Sequence, residues 1–353
     1  MSKKKIRVLI VDDSALIRGV MTELLRQDPD IEVVGSATDP YAARDKIKSL
    51  NPDVLTLDVE MPKMDGLTFL QKVMAGHPMP VLMVSSLTES GCETTLRALE
   101  FGAVDFITKP KIDVQHGLEE LAETITSKVK IAAAATVRKR APAAANPDRL
   151  RELATQSSMI KTTDTIIAIG ASTGGTEALK ELLEVLPPSV PPIVMTQHMP
   201  ERFTKTFADR LNDVCQISVK EAEDGDSVIP GQALLAPGNY HMELRRSGAR
   251  YHVTLNQHPP INRHRPAVDV MFRSVANYAG ANSLGVILTG MGNDGAAGMF
   301  EMKKAGAFNI AQDEASCVVF GMPKEAIKAG GVDKILPLSD IPAAMLSHLK
   351  SIS

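Results

Sequence analysis

Short apolar runs that alternate with amphipathic stretches limit the fold of this chain more than any other feature of its sequence. Such alternation is typical of parallel α/β sheets, in which right-handed helical crossovers connect successive strands. The first set of apolar runs comprises Ile6–Val11, Ile31–Val34, Val54–Leu57, Val81–Val84 and Asp105–Ile107. A second set begins at Thr165. We therefore predict an α/β fold with two doubly wound domains, the first on a five-stranded parallel sheet and the second on a mainly parallel sheet.

A change of composition separates the two sets of runs. Residues Lys130–Asn146 read KIAAAATVRKRAPAAAN, which is rich in Ala and basic residues and has no strand pattern. We predict an N-terminal domain over residues 1–129, a linker over 130–163 and a C-terminal domain over 164–353. Within the second domain, Gly, Pro and alternating apolar residues over Ser218–Leu255 predict an inserted β-hairpin region.

Composition narrows the class of protein. No apolar run reaches the roughly 18 residues that a membrane span needs, and the N-terminus has no signal-peptide pattern. A net charge of −3 and the absence of Trp do not suggest a nucleic-acid partner. Cys92, Cys215 and Cys317 are scattered without metal-ligand spacing. We expect a cytoplasmic protein that neither inserts into a membrane nor binds nucleic acid.

Polar side chains follow four strands of the predicted first domain. Asp12 and Asp13 follow the first apolar run, Asp58 the third, Ser85 the fourth and Lys109 the fifth. Because ligands bind outside the carboxyl ends of parallel strands, we expect these side chains to converge. Each has an ordinary alternative: Asp13 or Ser14 could cap a helix that begins near Ala15, and Lys109 could be a surface lysine before Pro110.

This set has a phosphoryl-transfer logic. Carboxylate oxygens are hard ligands of the kind that Mg²⁺ prefers, and the carboxylates of Asp12, Asp13 and Asp58 would surround such an ion. Asp58 can act as a nucleophile toward a phosphoryl group, whose oxygens Lys109 and the Ser85 hydroxyl would hold. A haloacid-dehalogenase-type phosphatase also uses Asp and Mg²⁺. That class places an Asp-x-Asp pattern after the first strand, which is missing from this sequence.

Several motifs of this domain resemble those of response-regulator receiver domains. They are Val11-Asp12-Asp13-Ser14, Leu57-Asp58-Val59-Glu60-Met61-Pro62, Met64-Asp65-Gly66, Ser85 and Lys109-Pro110. The resemblance implies a flavodoxin-like fold, phosphorylation of Asp58 by a histidine kinase, and a metal site that the backbone carbonyl of Glu60 completes. Many receivers carry Thr where this chain has Ser85, and both residues supply a hydroxyl.

Three polar residues follow strands of the second domain. Ser172 lies in the sequence GASTGG, His198 in TQHMP and Asp294 in TGMGNDG. Ser, His and Asp are the members of an acyl-transfer triad, and the glycines permit a tight strand-to-helix turn that exposes the Ser hydroxyl. The order Ser, His, Asp differs from that of α/β-hydrolases. Helix capping is the alternative role for Ser172 and Asp294, and a loop histidine is the alternative for His198.

Nucleotide binding is the main competing function. Gly170, Gly174 and Gly175 follow a strand, as in a phosphate-binding loop, but they do not fit the Gly-x-Gly-x-x-Gly pattern. The next strand ends at His198 rather than at an acidic residue that would bind a ribose, and the lysine of a Walker loop is missing.

The second-domain motifs closely resemble the effector domain of chemotaxis response-regulator protein-glutamate methylesterases, and the two domains together cover nearly the whole chain. The resemblance implies hydrolysis of glutamate methyl esters on methyl-accepting chemotaxis receptors and deamidation of receptor glutamines, with no cofactor for the esterase step. It assigns Ser172 as nucleophile, His198 as general base and Asp294 as its orienting partner. Thr173 and Met291 fall at further active-site positions, where we expect oxyanion donors.

The order of the two domains also suggests that the first regulates the second. We expect the unphosphorylated receiver to block the Ser172 cleft and phosphorylation of Asp58 to relieve the block.

Two other classes of effector domain are alternatives. A DNA-binding effector would need a compact helix-turn-helix, and the second domain is too long for one. We interpret Arg245-Arg246 and Arg263-His264-Arg265 as solvated or substrate-facing loops. A scaffold whose triad has no activity is a third class.

Overall fold

The computed structural model describes residues 4–109, 118–137 and 165–352. The chain divides into two compact units, Met1–Pro142 and Ala143–Ser353. Most of the predicted linker lies outside the described residues, so the domain limits at 129 and 164 stay a prediction. No helix of the described part combines the length and the apolar character needed to cross a bilayer.

The first unit contains one parallel sheet with the predicted five strands. The strands are β1 (Ile6–Val11), β2 (Ile31–Ala37), β3 (Val54–Asp58), β4 (Val81–Ser85) and β5 (Asp105–Thr108). They lie in the order β2-β1-β3-β4-β5, and every pair is parallel. The helices are α1 (Ala15–Arg26), α2 (Pro40–Leu50), α3 (Gly66–Gly76), α4 (Glu89–Glu100) and α5 (Leu118–Ala134). The predicted α/β fold of this unit is confirmed.

Side-chain caps explain where the helices of this unit begin. The Ser14, Asp39, Asp65 and Thr88 side chains each accept a hydrogen bond from a backbone N–H in the first turn of α1 to α4, respectively. These N–H groups have no partner inside the helix, so a short polar side chain before the first turn stabilises the helix start. Ser14, not Asp13, therefore caps α1.

The second unit contains a seven-stranded sheet and a separate hairpin. Its strands are β6 (Ile166–Ala171), β7 (Ile193–Gln197), β8 (Ser218–Glu221), β9 (Gln232–Leu235), β10 (His241–Ser247), β11 (Arg250–Asn256), β12 (Ser283–Ile287), β13 (Phe308–Gln312) and β14 (Lys334–Leu336). Its helices are α6 (Gly175–Leu183), α7 (Phe203–Val214), α8 (Val268–Tyr278), α9 (Ala296–Lys304), α10 (Met322–Lys328) and α11 (Ile341–Ser351).

The large sheet has the order β14-β13-β12-β6-β7-β9-β8, and its neighbouring strands are parallel. The antiparallel pair β10–β11 is the predicted inserted hairpin, and its inward residues pack with α8 in one buried core. Not all of Ser218–Leu255 is hairpin, however, because β8 and β9 at the start of this region extend the parallel sheet. Turn residues and alternation mark strands and their ends but do not distinguish parallel from antiparallel pairing.

Candidate functional site

The carboxyl ends of three neighbouring strands lie at the same edge of the sheet in the second unit. Strand β6 lies between β12 and β7, with Gly170 paired to Ile287 and Ala171 paired to Gln197. Ser172 follows β6 and His198 follows β7, while Asp294 comes from the loop after β12. The predicted triad residues are therefore on neighbouring strands at one edge of the sheet.

Ser172 occupies a sharp turn from β6 into α6. Its backbone N–H donates to the Thr289 carbonyl at 3.0 Å, and its own carbonyl accepts from the Gly175 N–H at 2.6 Å. Gly174 has a φ of 77° and is the residue that caps α6. A left-handed residue of this kind favours glycine, because glycine has no Cβ. The turn leaves Ser172 half-buried, and the alternative role of Ser172 as the cap of α6 is wrong.

His198 and Asp294 form a buried ion pair or hydrogen-bonded pair. His198 Nε2 lies 2.7 Å from Asp294 Oδ2, and the two side chains are 6% and 2% exposed. An ionised carboxylate only accepts hydrogen bonds, so Nε2 carries the proton that joins the pair. The other ring nitrogen, Nδ1, is buried and has no hydrogen-bond partner among the described residues. In neutral His198, Nδ1 is thus the nitrogen with a lone pair for a proton.

Asp294 is held in the ionised form by several donors. Its carboxylate accepts the N–H groups of Val268 at 2.7 Å and Asp269 at 3.0 Å, at the start of α8. The Asn262 side-chain amide donates to it at 3.0 Å. Burial alone would raise the pKa of Asp294, but the His198, Asn262 and Val268 interactions outweigh burial and lower the pKa. Asp294 therefore does not cap the helix that follows it, and the capping alternative is wrong.

Sequence reasoning missed a buried amide that links the backbones of Ser172 and His198. Gln197 Nε2 donates to the Ser172 carbonyl at 3.0 Å and to the His198 carbonyl at 3.3 Å. The Gln197 residue is 4% exposed. The available signal was the amide residue Gln197 at the end of the fully buried strand β7, which begins with three apolar residues.

A second missed group comes from the loop before α8. Asn262 contacts Asp294 as described, and it also donates to Asp269 Oδ2 at 3.0 Å. The His264 ring stacks on the His198 ring with centroids 3.6 Å apart and an angle of 11° between the planes. The sequence interpretation placed Arg263-His264-Arg265 in a solvated or substrate-facing loop, whereas His264 contacts the predicted base itself.

The two positions expected to supply oxyanion donors lie beside Ser172. Thr173 follows it directly and is 5% exposed, and its carbonyl accepts from the Thr289 hydroxyl at 3.0 Å. Met291 follows Gly290, and a Cβ added at Gly290 would lie 2.7 Å from Ser172 Cβ. The glycine therefore allows the Met291 loop to approach the Ser172 turn closely. The donor roles of Thr173 and Met291 stay predictions.

The acidic residues of the first unit also gather at one sheet edge. One carboxylate oxygen from each of Asp12, Asp13 and Asp58 lies within 4.8 Å of the other two. Asp12 and Asp58 are buried, and Asp13 is exposed. Asp12 Oδ2 is buried and has no hydrogen-bond partner among the described residues. An orphaned buried carboxylate oxygen beside two further carboxylates suits a hard divalent cation such as Mg²⁺.

Lys109 contacts the predicted phosphoacceptor directly. Lys109 Nζ lies 2.8 Å from Asp58 Oδ2 and 3.9 Å from Asp12 Oδ2, so it is not merely a surface lysine. The pKa of Asp58 is raised to about 6, because burial and, to a lesser extent, the Asp12 charge raise it more than the Lys109 interaction lowers it. Glu60 is exposed, and its backbone N–H donates to Asp58 Oδ1 at 3.2 Å.

The Ser85 hydroxyl does not bond to Asp58 in this structure. Ser85 is buried at the end of β4, and its Oγ lies 3.2 Å from the Gly91 carbonyl and 3.1 Å from the Ser86 carbonyl. A hydroxyl rotates readily about its Cα–Cβ bond and has one proton to donate. To donate to a phosphoryl group on Asp58, as predicted, the Ser85 hydroxyl must rotate away from these two carbonyls.

Comparisons with known proteins agree with this architecture. The CheB methylesterase family model matches residues 167–345, and the response regulator receiver domain model matches residues 8–122. The crystal structure of the Thermotoga maritima CheB methylesterase catalytic domain is similar to the second unit. It has 42% sequence identity and a TM-score of 0.51, and the match covers 52% of this chain and 98% of that chain.

Full-length relatives match both units together. A protein-glutamate methylesterase/protein-glutamine glutaminase of Thiobacillus denitrificans is 60% identical over 342 residues, which are 97% of this chain and 96% of the relative. A protein of Geobacter metallireducens with the same activities in its name is 59% identical over 355 residues, which are 99% of this chain and 98% of the relative. The chain therefore belongs to the CheB methylesterase family, in the form that begins with a response regulator receiver domain.

Proposed function

We propose that the chain is a phosphorylation-activated hydrolase of sensory adaptation in chemotaxis. Its substrates are glutamate 5-O-methyl esters on methyl-accepting chemotaxis receptors, from which it releases methanol, and receptor glutamines, which it deamidates. A chemotaxis histidine kinase supplies the phosphoryl group. The observation that carries the proposal is the buried 2.7 Å contact between His198 and Asp294 at the sheet edge from which Ser172 emerges.

The acylation step follows from the protonation of this pair. Because His198 Nε2–H donates to Asp294, Nδ1 accepts the Ser172 proton as Ser172 Oγ attacks the ester carbonyl carbon. The resulting oxyanion accepts hydrogen bonds from the backbone N–H groups of Thr173 and Met291. Asp294 stabilises the imidazolium that forms at His198. The C–O bond to the methoxy group then breaks, and Nδ1–H protonates the departing methanol.

Deacylation repeats the same proton transfers with water as nucleophile. His198 Nδ1 takes a proton from water as the water oxygen attacks the acyl carbon, and Ser172 Oγ leaves with that proton. The products are a receptor glutamate and free Ser172. A glutamine substrate follows the same course, except that ammonia rather than methanol leaves in the first stage.

The first unit supplies the regulatory chemistry. Asp58 Oδ attacks the phosphorus of the phosphohistidine donor, and Lys109 holds the phosphoryl oxygens after the histidine leaves. The Ser85 hydroxyl joins them once it turns from the Gly91 carbonyl. Asp12, Asp13, Asp58 and the Glu60 carbonyl would hold Mg²⁺, which offsets the negative charge of the transferring phosphoryl group when bound.

Methanol release from methylated receptor tests this function. Ser172→Ala is expected to lower the release by at least about 10³-fold, because the nucleophile is lost while the fold is kept. A small phosphodonor with Mg²⁺ is expected to stimulate the wild-type chain and to leave Asp58→Asn unstimulated. Full release by Ser172→Ala would contradict the triad, and stimulation of Asp58→Asn would contradict the phosphoacceptor.

A serine-directed phosphonate separates the hydrolase from the competing effector classes. Covalent labelling at Ser172 that Ser172→Ala abolishes is expected of an activated serine. A wild-type chain that neither reacts with the phosphonate nor releases methanol would favour a non-catalytic or nucleotide-binding effector domain.

A further inference from the structure

The loop before α8 contains a tight turn over residues 261–264. The Ile261 N–H donates to the His264 carbonyl at 3.1 Å, and the His264 N–H donates to the Ile261 carbonyl at 2.8 Å. Both central residues are left-handed, with φ values of 52° at Asn262 and 68° at Arg263. Asn adopts this conformation more readily than most residues. The turn thus fixes the direction of the Asn262 and His264 side chains.

Asn262 bridges two buried carboxylates. Its single amide nitrogen, Nδ2, lies 3.0 Å from Asp294 Oδ1 and 3.0 Å from Asp269 Oδ2. The two carboxylate-bearing residues are 1% and 4% exposed. An NH₂ group has two protons, so it donates one to each carboxylate, whereas an amide oxygen in its place would be repelled by both. The bridge lowers the cost of keeping two acidic groups close together.

His264 acts on the other member of the pair. Its ring lies parallel to the His198 ring, with centroids 3.6 Å apart. A flat ring in this position blocks one face of the imidazole, so that His198 cannot turn toward that side. Asp294 holds Nε2 at the ring edge. The stack and the hydrogen bond together leave Nδ1 one direction in which to point.

We propose that two side chains of the 261–264 turn are positioning groups of the catalytic site: Asn262 orients Asp294, and His264 orients His198. The proposal rests on the proposed hydrolase function and extends it to residues outside the triad. Neither residue transfers a proton. They act by keeping the acid–base pair in one arrangement before substrate binds.

The surface position of Asn262 makes this role testable apart from stability. Asn262 itself is exposed, so removal of its amide leaves no closed cavity in the core. Glycine tolerates the left-handed φ at this position. Arg263→Gly is the matched control for the turn backbone, because Arg263 is the exposed neighbour of Asn262 with the same left-handed φ.

Steady-state kinetics on the full-length chain give the first readout. Asn262→Gly is expected to lower kcat for methanol release at least about tenfold, as loss of a hydrogen bond to a charged group does. Its KM is expected to stay within about twofold, because a residue that only orients Asp294 does not bind substrate. Arg263→Gly is expected to keep kcat. Equal losses of kcat in both variants would overturn the proposal, since they would assign the effect to the turn backbone.

The proton resonance of the His198 Nε2–H group gives the second readout. This resonance is expected to be sharp and at low field in wild type, and to broaden in Asn262→Gly at a temperature well below the melting temperatures of both proteins. His264→Phe retains a flat ring and is expected to keep kcat within about threefold, whereas His264→Ala loses about tenfold. Unchanged kcat and an unchanged resonance in Asn262→Gly and His264→Ala would overturn the proposal.

Ser172→Ala distinguishes failure of this inference from failure of the proposed function. If Ser172→Ala releases no methanol and both turn variants are fully active, the triad stands and the positioning role is wrong. If Ser172→Ala is fully active, the proposed hydrolase function is itself wrong.

Discussion

At the residue scale, some glycines are required because a side chain of the candidate site packs where their Cβ would be. Gly175 is the clearest case. A Cβ at this position would lie 2.2 Å from Gln197 Oε1 and 2.7 Å from Ala171 Cβ. Gln197 is the amide that joins the backbone carbonyls of Ser172 and His198. The absence of a side chain at residue 175 therefore allows the Gln197 link between Ser172 and His198.

Gly175→Ala is expected to damage both stability and activity. The added methyl group must displace the Gln197 side chain, which costs about 1–3 kcal/mol of unfolding free energy and breaks the link to Ser172 and His198. Chemical denaturation and methanol release measure the two effects. Gly19→Ala is the control, because Gly19 lies exposed within α1 and its added Cβ would meet no atom within 4 Å. Equal stability of Gly175→Ala and wild type would contradict the prediction.

Residues that follow strands were predictable, and residues that reach the site from a distant turn were not. Asp58, Ser172 and His198 come directly after apolar runs, so the sheet topology alone predicts where they emerge. Asn262 and His264 reach the site only because the chain folds back over this edge of the sheet. No periodicity in the sequence encodes that path, and an Arg-rich loop is ordinarily solvated.

At the element scale, the start of α8 matters because its first N–H groups hold Asp294. The buried His241, in the hairpin, supports this start. Its Nδ1 accepts the Ala267 N–H at 3.2 Å, and its Nε2–H donates to the Pro259 carbonyl at 3.2 Å. The bond at Nδ1 requires the neutral ring, because a protonated ring has no acceptor nitrogen. Burial lowers the pKa of His241, and the nearby Arg265 charge lowers it further.

Acid is therefore expected to destabilise the second unit through His241. A histidine whose pKa is lower in the folded state binds its proton first in the unfolded state, so stability falls as the pH drops below the ordinary histidine value of about 6.5. Urea denaturation at pH 7.5 and pH 5.5 measures this loss. His241→Gln retains a donor and an acceptor but does not titrate, and it should lose less stability on acidification. The same loss in both proteins would contradict the prediction.

Element prediction was most accurate where the hydrophobic pattern was simplest. Strand β1 has the limits that the sequence indicated, Ile6–Val11. The region around β8 and β9 was misread as hairpin because its signals were turn residues. The pairing partner of a short strand depends on contacts with a core distant in sequence, which local propensity does not report.

At the scale of the whole molecule, the two candidate sites belong to different compact units. The acidic cluster with Asp58 lies in the first unit, and Ser172, His198 and Asp294 lie in the second. Each site is built from its own parallel sheet. We therefore expect the proposed metal requirement of the first site not to extend to the proposed hydrolysis at the second.

Chelation should separate regulation from hydrolysis. With EDTA in excess, a phosphodonor is expected to give no stimulation, because Asp12, Asp13 and Asp58 lack the cation that offsets phosphoryl charge. The unstimulated rate of methanol release should stay within about twofold of its value with Mg²⁺, since the triad mechanism needs no metal. Added Mg²⁺ should restore the stimulation. A chelator that stopped unstimulated hydrolysis would contradict this division.

The separation of the triad along the chain also has a consequence during translation. His198 and Asp294 are 96 residues apart in sequence, and β12 must insert beside β6 before they can meet. A ribosome adds about 5–20 residues per second, so a nascent chain carries Ser172 and His198 for several seconds without their acidic partner. Under the proposed triad mechanism, we expect the growing polypeptide to be hydrolytically silent during that interval, and esterase activity to begin only after most of the second unit has been synthesised.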